Sequence, residues 1–96
     1  MSWFVYIIEA SDKSLYTGIT TDIERRFQEH LNGTGAKYFH GRKPVKVVYL
    51  EDYDNRSGAS VREAQIKKLT KIKKQKLIEG IKTKLNENGP KGILSK

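Results

Sequence analysis

From Trp3 to Glu9 the chain is apolar on both alternating sides, with Trp3, Val5 and Ile7 on one and Phe4, Tyr6 and Ile8 on the other. A run of β-branched and aromatic residues without a polar side cannot lie against water, and so predicts a central strand covered on both faces. Ninety-six residues supply one modest core, so the cover must come from elements of the same small domain.

The rest of the chain reads in the order strand, helix, strand, helix, helix. Ala10 to Ser14 are turn residues and Leu15 to Thr20 a returning hairpin strand, interrupted by Gly18. A glycine inside a strand marks a bulge or a place where another backbone or a ligand comes close. Thr21-Asp22-Ile23-Glu24 has capping-box spacing, Ile23, Phe27 and Leu31 recur at helical period, and Asn32-Gly33 closes that helix. Residues 33–44 form a loop containing Lys37, Tyr38, His40, Arg42 and Lys43, ending at Pro44, and Val45 to Glu51 is the third strand. Past a turn at Asp52 to Ser57, a helix is predicted over Gly58 to Thr70, with Ala59, Ile66 and Leu69 as its apolar stripe and Glu63 on the border of that stripe. A last helix runs from Lys71 to Glu79 and stops at Gly80. Residues 1–80 are thus expected to form the domain and 81–96 a flexible, lysine-rich tail.

Charge is divided unevenly along this chain. Residues 56–96 hold 12 basic and 3 acidic side chains, whereas residues 1–55 hold 7 basic and 8 acidic. A net charge of +8 on a small domain concentrates polyanions near its surface, and phosphate neutralisation supplies affinity independent of sequence. The bland reading is that lysines merely solvate helical faces. A membrane partner is not expected, because the lysine-rich helices lack a broad aromatic face and no segment approaches the length of a spanning helix. The first residues lack the basic-then-apolar pattern of a secretory signal, so the cytoplasm is the expected compartment. With no cysteine, thiolate metal sites and thiol redox chemistry are excluded, leaving hard, oxygen-bound cations as the metals to expect.

A few residues do not fit a purely structural pattern. At about 100° per residue, Glu24, Arg25, Gln28 and Glu29 turn away from the first helix's apolar stripe, whereas Arg26 and His30 lie along its edge. Polar groups at near-core positions need partners. Tyr6 lies mid-strand, Tyr16 and Gly18 on the partner strand, and Glu63 beside an apolar stripe. Each has an ordinary explanation: a core tyrosine, an ion-pairing arginine, a packing histidine, a glutamate capping through Ser60-Val61-Arg62-Glu63. Together they supply a carboxylate for a cation, a guanidinium for phosphate, and phenols or an imidazole for proton transfer.

These residues resemble the GIY-YIG nuclease family, and in particular its small stand-alone bacterial members. Phe4-Val5-Tyr6 and Tyr16-Thr17-Gly18 correspond to the two halves of its motif, with the tyrosines ten positions apart. Arg26 falls eight residues past Gly18 and His30 four further on, where the family has an arginine and a histidine or tyrosine. Arg62 to Leu69 is similar to the family's helix bearing a metal-binding glutamate, which places that role on Glu63. The likeness spans Trp3 to Gly80. Position 4 is Phe where the motif has Gly, and Ile19 follows Gly18 where several active relatives carry lysine.

The resemblance implies an α/β (α+β) domain, a three-stranded, mostly antiparallel sheet flanked by three helices. It also implies hydrolysis of nucleic acid phosphodiesters by water with one divalent cation, Mg²⁺ or Mn²⁺. Glu63 would be the only protein carboxylate on that cation, Arg26 would stabilise charge on the phosphoryl oxygens, and Tyr6, Tyr16 and His30 would orient or deprotonate the water and support the leaving oxygen. Gly18, Lys37, Arg42, Lys43, Lys67, Lys68 and Lys71 are the expected contacts to nucleic acid, DNA in preference to RNA, made by a monomer. The unperturbed pKa of tyrosine is ~10 and that of histidine ~6.5, so His30 would serve as a base without adjustment and a tyrosine would not. The alternative is a non-catalytic nucleic-acid-binding module on the same fold, with aromatic residues as stacking platforms.

Overall fold

The computed structural model describes residues 2–88, those from 81 to 88 as backbone. Strand β1 (Trp3–Ala10) turns through a hairpin into β2 (Leu15–Thr20) and helix α1 (Ile23–Asn32). A single 3-10 turn (Lys37–Phe39) leads to β3 (Pro44–Tyr53), followed by α2 (Arg56–Lys67) and α3 (Lys71–Asn88). The three strands form one antiparallel sheet in the order β2-β1-β3, with the doubly apolar strand at its centre.

Alternation along β1 divides the core in two. Val5 and Ile7 pack with Tyr49, Ala59, Ile66 and Ile78 on the side covered by α2 and α3. Tyr6 and Ile8 pack with Phe39 and the half-buried Tyr16, Ile23 and Phe27 on the side covered by α1 and the loop after it. Val5, Tyr6, Ile7 and Ile8 are all at most 1 % exposed, so both faces of the central strand are filled. At about 25 cal/mol per Å² of apolar surface, each such side chain contributes roughly 1.5–3 kcal/mol, which makes this strand the foundation of the domain.

Several boundaries differ from the sequence reading, for local reasons. The first helix is capped by Asp22, whose carboxylate accepts the Arg25 N–H at 3.0 Å, and not by Thr21. Thr20 accepts the Asp22 N–H through its hydroxyl at 3.1 Å, fixing the strand-to-helix corner. Gly33 closes α1 in the left-handed region at φ 83°. Within α1 the burial maximum has rotated from the Ile23–Phe27–Leu31 stripe to the edge carrying Arg26 and His30: His30 is 1 % exposed, whereas Leu31 is 46 % exposed. Strand β3 begins at Pro44, where a missing N–H costs nothing, and continues to Tyr53 rather than Glu51. Helix α2 starts earlier than expected, because Asn55 caps it by accepting the Gly58 N–H at 2.9 Å, and ends at Lys67. Ser60 therefore lies inside the helix, and the capping explanation for Glu63 falls. Helix α3 continues through Gly80 to Asn88, since a single helical glycine costs only about 1 kcal/mol against alanine. Residues 89–96 of the expected tail lie outside the described residues. Among the described residues no helix is long and apolar enough to cross a membrane.

Candidate active site

Register brings the first two candidates together. Tyr6 pairs directly across from Gly18, and its phenol lies over that glycine towards the outer edge of the sheet. A Cβ at position 18 would stand 2.5 Å from the Tyr6 hydroxyl and 2.7 Å from Cζ, so only glycine leaves room for the ring. The close approach expected at Gly18 is thus made by a side chain of the protein itself, and Gly18 is buried beneath it.

The Tyr6 hydroxyl meets His30 Nε2 at 2.9 Å in a buried hydrogen bond. At its other nitrogen, His30 Nδ1 accepts the backbone N–H of Ala36 at 3.2 Å. An accepting Nδ1 in a neutral imidazole leaves the proton on Nε2, so His30 donates to the Tyr6 oxygen. Gly35 makes this contact possible, because a Cβ there would collide with Nδ1. Burial, with the nearby Arg26 charge adding to it, pushes the His30 pKa down to about 4. Both nitrogens are engaged and the ring is neutral, which removes His30 as a ready-made base. Burial likewise raises the Tyr6 pKa to about 12, with Arg26 pulling against it and the charges of Tyr16 and Glu63 adding to the rise.

Arg26, on the same edge of α1, donates from Nη1 to Glu29 Oε1 at 2.8 Å and stays partly open to solvent. That bond raises the Arg26 pKa further and holds the Glu29 carboxyl below the usual carboxylate range. Arg25, one position before, faces outward and lies 3.6 Å from the same carboxylate. The separation of Arg26 from Arg25 drawn from helical phase therefore holds, although the predicted stripe residue Leu31 is exposed. Tyr16 is half-buried in an aromatic cluster, its ring centroid 6.2 Å from Tyr6, 5.5 Å from His30, 5.0 Å from Tyr38 and 5.2 Å from Phe39.

Glu63 comes from the opposite layer. It lies between the buried Ala59 and Ile66 on the stripe of α2 that packs over β1 and β2, and its partner among the described residues is Lys67, at 3.2 Å. Its rotation is set by its neighbour: Arg62 Nε donates to Glu51 Oε1 at 3.1 Å and Oε2 at 3.3 Å, tying α2 to β3. Burial opposes ionisation of Glu51, but donation by Tyr49, Tyr53 and Arg62 outweighs it and keeps that carboxyl below its ordinary pKa. The candidate residues thus lie on two layers, Tyr6, Tyr16, Arg26 and His30 on one and Glu63 on the other.

The basic residues expected to meet nucleic acid form two groups. Lys37 opens the 3-10 turn, Lys43 exchanges backbone and side-chain hydrogen bonds with Ser11, and Arg42 lies 3.0 Å from Asp12 and 4.2 Å above the Tyr38 ring. Much of the Arg42 charge is thereby answered within the protein. Lys67, Lys68 and Lys71 lie at the end of α2 and the start of α3, with Lys67 on Glu63. Sequence reasoning missed Gly35, Phe39, Glu51 and the role of Arg62. An apolar aromatic next to Tyr38 in a polar loop was the available signal for Phe39, which is 5 % exposed.

Comparison with known proteins identifies the family. The family model described as the GIY-YIG catalytic domain matches residues 2–76. A UPF0213 protein of Haloquadratum walsbyi is 58% identical over 76 residues, covering 79% of this chain and 85% of that one. Another, of Clostridium perfringens, is 49% identical over 90 residues, 94% and 96% of the two chains. Among solved structures, the UPF0213 protein BH0048 of Bacillus halodurans is 40% identical with a TM-score of 0.54, covering 82% of this chain and 84% of that one. The protein EF2693 of E. faecalis is 36% identical with a TM-score of 0.60, covering 86% and 88%. The matched segment contains every residue of the site, from Tyr6 to Glu63, and the chain is a member of the GIY-YIG family.

Proposed function

We propose that this domain is a metal-dependent nuclease that hydrolyses phosphodiesters of nucleic acid, DNA in preference to RNA, as a monomer. The observation that carries this reading is the Tyr6–His30 hydrogen bond beside Arg26, with Glu63 on the opposite layer near enough for its charge to raise the Tyr6 pKa.

Among the described residues no three His, Cys, Asp or Glu side chains gather into a metal-binding group. Glu63 alone still suits Mg²⁺ or Mn²⁺, because such hard cations keep several waters and draw further oxygen ligands from a substrate phosphate. Lys67 lies 3.2 Å from that carboxylate, so a cation bound there would take the place of its ammonium group. When bound, the cation supplies charge that acidifies water and neutralises phosphate.

The side chains supply the rest. Arg26, free on one side, donates to the phosphoryl oxygens as charge develops there. His30 fixes the Tyr6 hydroxyl through Nε2–H, so that the phenol's own proton points away from the imidazole. Lowering a pKa of about 12 to neutrality requires roughly 7 kcal/mol of differential stabilisation, so Tyr6 is a phenol until substrate and cation arrive. Tyr6 then releases its proton to solvent, the His30 N–H and Arg26 favour the resulting phenolate, and the phenolate takes the proton of the attacking water. Tyr16, less buried and 6.2 Å from Tyr6 between ring centroids, supports the departing oxygen.

One feature favours a second reading, a binding module without catalysis: Ile19 stands where the resemblance puts a lysine in several active relatives, and it packs with Val5 and Ile7 on the face opposite Tyr6. Cleavage of branched, single-stranded and duplex substrates with Mg²⁺ or Mn²⁺ separates the two. Activity that disappears in Glu63→Gln at unchanged thermal stability supports the nuclease. Binding without cleavage under either metal supports the module.

A further inference from the structure

The first turns of α1 and α2 open onto the same end of the sheet, where β1 begins and β2 ends. Between them lies a hollow of ≈ 260 Å³ lined by Trp3, Ile19, Thr20, Thr21, Arg25, Arg26, Glu29 and Arg56. Three of the chain's arginines converge there against one carboxylate, while Arg42 and Arg62 are engaged elsewhere by Asp12 and Glu51. Trp3 is half-buried, one part of it packed on the core and the Arg56 guanidinium over its ring at 5.5 Å from the centroid. The ring face is therefore covered by an exposed, displaceable group and not by the core. Arginine forks match phosphate oxygens, and a tryptophan face accepts a nucleobase of any identity. Arg26 connects this hollow to the reacting groups, since it lines the one and borders Tyr6 in the other.

We propose that this hollow binds the nucleotide adjoining the scissile phosphate, with its base stacked on Trp3 and its phosphate held by Arg25 and Arg56. The proposal deepens the nuclease reading and rests on it for the word scissile, but not for the binding of a nucleotide. It accounts for two arginines and a tryptophan that the chemistry around Tyr6 does not use. It also assigns Arg25, which helical phase alone leaves idle on the solvent side, a part in holding substrate. The size suits one nucleotide, and neither the arginines nor the ring demands a particular sequence.

Trp3 is the only tryptophan in the chain, so its fluorescence reports on this hollow without labelling. The full-length protein is titrated, in chelator to prevent cleavage, with a short single-stranded oligodeoxyadenylate and with an abasic chain of the same phosphate count. Saturable quenching by the first and a clearly weaker response to the second are expected. Arg25→Ala and Arg56→Ala, both at exposed positions, should each weaken binding severalfold. Trp3→Phe, which preserves most of the packing, should lower affinity about tenfold by anisotropy of a labelled strand. Equal binding of the abasic chain, or saturation with unchanged Trp3 emission, overturns the subsite. Glu63→Gln should abolish cleavage and leave the quenching intact. Quenching in a wild-type protein that cleaves nothing overturns the nuclease reading alone, and cleavage without quenching overturns the subsite alone.

Discussion

The Tyr6 hydroxyl and His30 Nε2 are 2.9 Å apart in the interior, and the Ala36 N–H on the far nitrogen makes the histidine the donor of that pair. The imidazole is neutral in the folded protein, with its pKa lowered to about 4 chiefly by burial.

This predicts a pH dependence of stability whose sign follows from linkage. In the unfolded chain His30 takes up a proton near pH ~6.5, while in the fold it resists until about pH 4, so the unfolded state binds more protons between those values. Its stabilising contribution is complete above that window and is lost as pH falls through it, up to about 3 kcal/mol in all. Melting temperatures of wild type and His30→Gln, measured from pH 7.5 to 4, should converge as pH falls. Parallel curves would place the titration elsewhere.

Gly18→Ala should be far costlier than an ordinary glycine replacement in a strand. The added methyl meets the Tyr6 phenol and also lies 3.1 Å from the Tyr16 ring, so it must displace one or both. Overpacking of this kind costs about 1–3 kcal/mol, and cleavage should fall further than stability because the hydroxyl leaves His30. Denaturant titration and turnover on the same preparation check both. An alanine variant with wild-type activity would show that Tyr6 need not be held where it is.

Arg26 and Arg25 are adjacent in sequence and should differ in kinetics. Arg26→Ala removes the guanidinium beside Tyr6 and should reduce kcat by a factor of about 10² or more, with a modest change in binding. Arg25→Ala leaves the reacting groups untouched and should raise KM severalfold at unchanged kcat. Steady-state kinetics on one oligonucleotide decides, and equal losses of kcat in both variants would defeat the division of labour.

Binding to a generic oligonucleotide should weaken steeply with salt, because each neutralised phosphate releases counterion. Lys67, Lys68 and Lys71 replaced together by Glu should reduce both the affinity and the slope against salt concentration. A slope unchanged by the triple replacement would move the backbone-tracking surface away from the junction of α2 and α3. Stability should fall by about 1 kcal/mol or less, since the partly exposed Lys67–Glu63 pair is worth little and a like-charge pair in its place costs a similar amount.

The sequence alone determined what depends on local pattern. The doubly apolar run at Trp3 could only be a central strand, the charge asymmetry is additive along the chain, and helical period placed Arg26 and His30 on one edge before any packing was known. What only the tertiary structure decided are the relations between segments far apart in the chain. Gly18 is a glycine because the pairing of two strands puts a phenol over it, and Gly35 because a histidine on α1 reaches the backbone beyond it. His30 ceased to be a free base for the same reason: its neutrality and both its hydrogen bonds come from Tyr6, Ala36 and the surrounding burial, none of which its own neighbours specify. Helix ends moved where Asp22 and Asn55, rather than the residues beside them, found an N–H to accept. Pattern fixes which face of an element is apolar, but hydrogen bonds and pKa values belong to the partners that folding brings within a few ångströms.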